Sequence, residues 1–143
     1  MTDLTLSAAR ALLEAALGDA AARKLKPVSI VVLDARGALL ACLSQDGVSL
    51  MRWKIAMGKA QAALAMGLGS RAIGVMAVDR PHFVGAVAAM ADEGFVPVAG
   101  GVLIRDAQRR IVGAVGVSGD TSDNDEAIAV AGVSAAGFTP DAG

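Results

Sequence analysis

Arg52 and Lys59 stand seven residues apart in a segment that reads as helix, from Ser49 or Leu50 to about Met66. Two helical turns bring them onto one face, and two cations in line on an otherwise apolar helix suit a carboxylate. The alternative is a solvated stripe for Arg52 and a pairing with Asp46 for Lys59. Lys59 is hemmed in by Ala56, Ala60 and Ala63, which argues for a specific partner. Further on comes Pro97-Val98-Ala99-Gly100-Gly101. Paired glycines let backbone N–H groups face a ligand, or make a strand corner with no room for a Cβ atom. With Asp46 or Asp120 as general base, Lys59 would stabilise a developing enolate or carboxylate. The Gly100-Gly101 amides would receive the oxyanion. Such a set suits isomerisation, hydration or decarboxylation of an oxo acid, none of which needs a redox cofactor.

A second stretch, GVSGDTSDNDE (residues 116–126), divides in two. Asp123 or Thr121 can cap the final helix, and Asp125 and Glu126 complement the dipole of its first turn, so local structure explains these acids. DTSDND has oxygen donors at alternate positions but lacks the glycine and distal glutamate of a calcium-binding EF-hand loop. Val117-Ser118-Gly119, where a strand leaves through small residues, is not demanded by capping. Ser118 and Gly119 are therefore candidates for a pocket edge beside Gly100-Gly101. His82 follows Pro81 in the first turn of a helix, a position that is usually exposed surface. It is also the only imidazole in the chain.

The bulk composition narrows the options. The chain has 143 residues and reads as one domain, 1–143, with a full hydrophobic core. Thirteen basic and 14 acidic residues give a net charge of −1, which argues against nucleic acid as the main partner. One cysteine and one histidine exclude an internal disulfide, a cysteine-rich metal site and two-imidazole chemistry, and no metal site is expected. Hydrophobic residues make up 55% and charged residues 19%, without a stretch that reads as a membrane span. So apolar a chain is expected to cover part of its surface with a second copy, as a homo-oligomer. The first residues, MTDLTLSAAR, lack the basic and apolar regions of a signal peptide, so the expected location is cytoplasmic.

Periodicity supplies the elements that must position these residues. Leu6 to Leu17 repeats at helical spacing after Thr5 or Ser7, continues to Leu25 and is expected to end at Pro27. SIVVLD (29–34) and residues 38–43 read as a hairpin around Ala35-Arg36-Gly37. Ser70 can cap a helix through Ala77, and Pro81 starts another to Ala91. Residues 96–98 read as a short strand or extended segment. Residues 102–105 and 111–117 form a second hairpin, a last helix runs from about Asp123 to Ala136, and the tail FTPDAG is expected to fray. The order fits an α+β fold with a five-stranded, mainly antiparallel sheet flanked by helices.

The second half, VPVAGGVLIRDAQRRIVGAVGVSGDTSDNDEAIAVAG, resembles the GlcG/HbpS-like family, which includes the C-terminal domain of PduO-type proteins. The matching positions are Pro97, Gly100, Gly101, Gly113, Gly116, Val117, Ser118, Gly119 and Asp125. The first half is compatible through LTL, the VVLDARG turn, Gln45-Asp46-Gly47 and Lys59-Ala60. Ser44 stands where members often carry Arg, and Arg109 where a turn glycine is usual. The resemblance implies a profilin-like domain that forms oligomers. It implies that Lys59, the double glycine and Val117-Ser118-Gly119 wall a pocket. Some members are similar to heme-binding proteins, and others sit beside catabolic enzymes. The leading expectation is therefore a small-molecule-binding accessory protein with heme or another tetrapyrrole as ligand. His82 or a methionine would be the axial ligand, with Arg52 or Lys59 at the propionates. The oxo-acid enzyme described above and a structural oligomeric subunit remain open alternatives.

Overall fold

The computed structural model describes residues 3–143. Thr5 caps the first helix, α1 (Leu6–Ala22), its Oγ1 accepting the Ala8 N–H at 3.1 Å. The helix stops five residues short of Pro27. The chain has already turned at Lys24, which adopts a left-handed φ of 57°, so backbone conformation and not proline sets this end. The hairpin β1 (Ser29–Asp34) and β2 (Leu39–Ser44) follows, then α2 (Arg52–Met66), α3 (Ser70–Asp79) and α4 (Pro81–Met90). The second hairpin, β3 (Gly101–Arg105) and β4 (Ile111–Ser118), leads to α5 (Ser122–Ala135) and β5 (Thr139–Asp141).

The five strands form one antiparallel sheet in the order β2-β1-β4-β3-β5. Alternation along the strands sends side chains to two cores. Ile30, Val32, Val102, Ile104, Val115 and Val117 pack against α1 and α5. Val31, Leu33, Leu103 and Ala114 pack against Ala56, Ala60 and Ala63 of α2. The sheet is thus covered on both faces. The helix α4 lies outside these layers and packs on α3 but on no other helix or strand.

Two expectations about the strands change. The tail is not frayed: Thr139, Pro140 and Asp141 pair with Arg105, Ile104 and Leu103 as an edge strand, where a proline is tolerated. Arg105 Nε donates to Asp141 Oδ2 at 2.9 Å and holds it there. Residues 96–98 stay outside the sheet, and the Val96 N–H donates to Gly58 O on α2 at 3.0 Å. The fifth strand therefore comes from the tail. Arg109, standing in a turn-glycine position, takes the left-handed conformation that glycine would favour, with φ of 65°.

Candidate functional site

The buried face of α2 carries Ala56, Lys59, Ala60 and Ala63 at spacings of three and four, so the helix delivers Lys59 into the interior. Its side chain is 3% exposed. The ammonium donates to the Val117 carbonyl at 2.9 Å and lies 3.4 Å from Asp125 Oδ2. Asp125 is equally buried, on the α5 face that also carries Ile128, Ala129, Gly132 and Val133. Its carboxylate accepts the Gly119 N–H at 3.3 Å and the Asp120 N–H at 2.9 Å. Burial pushes the Lys59 ammonium below its ordinary range, the Asp125 carboxylate opposes that, and the Arg52 charge adds to the lowering.

Gly100 and Gly101 close over this pair. Gly100 has a φ of 125°, and a Cβ there would lie 2.8 Å from both Lys59 Nζ and the Val117 carbonyl oxygen. A Cβ on Gly101 would lie 2.3 Å from the Lys59 carbonyl oxygen. Ser70 does not cap α3 through its side chain. Its hydroxyl instead donates to the Val98 carbonyl and accepts the Gly101 N–H, both at 2.7 Å. That corrects one expectation: the Gly101 amide already has a partner and is not free for an oxyanion. Gly119 passes so close to Pro27 that a Cβ would lie 2.2 Å from the Pro27 carbonyl oxygen.

Arg52, two turns nearer the start of α2, donates from Nη1 to Ser118 Oγ at 3.3 Å. Ser118 lies opposite Ser29, and Ser29 opposite Ser44, whose hydroxyl is 2.7 Å from that of Ser29. Arg52 is half-buried at the edge of a row of hydroxyls. The structure thus brings together Arg52, Lys59, Gly100, Gly101, Ser118 and Gly119, with Asp125 and Ser70 added. In the sequence Asp125 reads as an acid complementing the dipole of the last helix and as a position of the family motif, not as the partner of Lys59. The further signal was an acid in line with the apolar stripe of α5, facing a lysine in line with that of α2.

The remaining candidates lie elsewhere or are occupied. Asp46 is exposed in the loop after β2 and makes none of these hydrogen bonds. Asp120 accepts from Asn124 Nδ2, the Lys26 N–H and the Thr121 N–H, which hold its carboxyl down at about 2. A carboxylate so stabilised is a weak general base. Asp120 instead ties the α1–β1 connection to the start of α5. His82 is exposed on α4. Among the described residues, no three His, Cys, Asp or Glu side chains gather as a metal site. No single described helix is long and apolar enough to cross a membrane.

The helix α4 offers a different chemistry. Its sequence, PHFVGAVAAM, has His82 as its one titratable side chain, yet only Val84 is buried. Phe83 and Met90 are exposed, as are Val75 and Val78 on the adjoining α3. The Arg80 guanidinium stacks over the Phe83 ring at 4.4 Å from its centroid. An imidazole on an apolar surface with a guanidinium beside it fits the needs of heme: an iron ligand, an apolar plane and a cation for a propionate. Lys59 does not fit the propionate role, because its ammonium is buried and engaged.

Comparison with solved structures places this fold among close relatives in shape. HbpS is 28% identical, with a TM-score of 0.81 over 94% of this chain and 90% of that one. The Klebsiella pneumoniae protein ORFY is 23% identical, with a TM-score of 0.84 over 95% and 92%. PduOC, solved as a heme complex, is 21% identical, with a TM-score of 0.85 over 96% and 97%. No curated protein matches. The family model described as "Haem degrading protein HbpS-like" matches residues 4–134, and with that match spanning nearly all the chain, the protein belongs to the HbpS-like family.

Proposed function

We propose that this protein is a small-molecule-binding accessory protein whose ligand is heme or a related tetrapyrrole, held on the α3–α4 surface. The carrying observation is the exposed His82 on an apolar helix of which one residue is buried. Burying Phe83, Val78 and Met90 against a flat apolar ligand would stabilise both partners at about 25 cal/mol per Å². Membership of the HbpS-like family and the heme complex of PduOC support the same ligand class. In this reading His82 would hold the iron through a ring nitrogen, Phe83 and Val78 would support the plane, and Arg80 would pair with a propionate. Bound heme would supply a redox-active iron, while the chain orients it and shields one side from water. A second copy laid over the same surface would shield the other side, so a homo-oligomer belongs to this reading, as does a cytoplasmic location.

Hemin titration followed at the Soret band tests the proposal. A saturable, red-shifted band is expected, and His82→Ala should shift it and weaken binding about tenfold or more. An unchanged band and affinity in that variant would remove His82 as the ligand. No saturable band in the unaltered protein would remove heme.

A further inference from the structure

The opposite end of the sheet holds a cavity that neither the Lys59 cluster nor the α4 surface uses. It lies between the two hairpin turns and has a volume of about 400 Å³, within the range of small-molecule sites. Ser118 at one end of β4 and Ile111 at the other are seven residues apart, or roughly 23 Å at strand rise. The two ends are therefore separate sites. The cavity's inner wall is apolar: Leu4 and Val112 are each 6% exposed, and Ile111 continues the surface outward.

The rim carries two arginines, each fixed by the turn it belongs to. Asp34 accepts the Arg36 and Ala38 N–H groups through Oδ1 and the Arg36 guanidinium through Oδ2, at 2.8 Å from Nη2. Asp106 accepts the Gln108 and Arg110 N–H groups through Oδ1 and the Arg110 guanidinium through Oδ2, at 2.9 Å from Nε. Both carboxylates are saturated by their own turns and have little left to offer a cation. Each guanidinium uses Nε and Nη2 for its carboxylate, leaving Nη1 donors for a further acceptor. The side chains that orient these donors are themselves locked, which lowers the ordering cost of binding.

Asp3 is a third acid against two arginines in the lining, so the site has no positive excess. With three acids against two arginines the lining repels a dianion more strongly than a single carboxylate, which the directed Nη1 donors can hold. We propose that this cavity binds small organic monocarboxylates with an apolar body: the carboxylate between Arg36 and Arg110, the body against Leu4, Ile111 and Val112. The proposal is independent of heme binding, because it uses other residues at the other end of the sheet.

The test is titration of the full chain with hexanoate, followed by methyl NMR of Leu4, Ile111 and Val112. Saturable shifts confined to this end are expected, with hexanol and hexylammonium producing much weaker ones. The double variant Arg36→Gln, Arg110→Gln should bind hexanoate roughly tenfold or more weakly, the loss expected for a charge-assisted hydrogen bond. Ala35→Trp, at an exposed lining position, should close the cavity while leaving both turns intact. Equal shifts with all three probes, no shift with hexanoate, or undiminished hexanoate binding in Ala35→Trp would each overturn the proposal.

Discussion

Lys59 carries a charge into a helix face otherwise made of alanine, and Asp125 does the same on α5. Each would be costly alone, since an unpaired buried ion loses hydration with nothing in return. Together they share one centre in which every buried side-chain polar atom among the described residues has a partner. Lys59→Met should therefore lower the unfolding free energy by about 3–5 kcal/mol, because it strands the Asp125 carboxylate. Urea denaturation would measure this, and adding Asp125→Asn to the same chain should recover part of the loss. A turnover assay on Lys59→Met alone would confuse chemistry with stability. The sequence marked Lys59 as needing a partner and suggested Asp46. The true partner lies 66 residues away, and only the sheet's topology brings it near. Ser70 is a similar case: its type suggested a helix cap, whereas the Gly100-Gly101 corner captured its hydroxyl.

At the scale of elements, α2 lies on the sheet almost at backbone contact. A Cβ on Gly116 would sit 1.9 Å from the Ala56 carbonyl oxygen, and Gly101 is as tightly placed beneath Lys59. Gly116→Ala should cost about 3 kcal/mol, read as a lower melting temperature, because backbone cannot step aside as a flexible side chain can. The helices and both hairpins were legible, since period 3.6 and β-branched runs express local preference and burial together. The edge strand β5, residues 139–141, was not. Thr-Pro-Asp has the composition of a turn, and its pairing with β3 depends on an edge created by distant sequence. Pro27 is the visible helix breaker in the sequence, but the chain turns earlier, at Lys24 with its left-handed φ, which residue type does not signal.

Across the whole molecule, one group of the exposed apolar side chains that would suit a second copy lies on α3 and α4. Val78 is 82% exposed and Met90 79%, on α3, which packs on α2 and β3, and on α4, which packs on α3 alone. If that surface joins copies, Val78→Glu with Met90→Glu should reduce the mass seen by light scattering while leaving helix content and melting of the subunit unchanged. An unaltered mass would place the contact elsewhere. The two faces of the sheet also differ in what holds them. The α1–α5 layer rests mainly on Leu, Ile and Val side chains, whereas α2 sets alanines on the sheet and its backbone comes close to Gly101 and Gly116. The first can exchange one aliphatic group for another as a lineage diverges. At Gly101 and Gly116 the second can accept almost no added atom, so it is the unforgiving face that shelters the buried lysine.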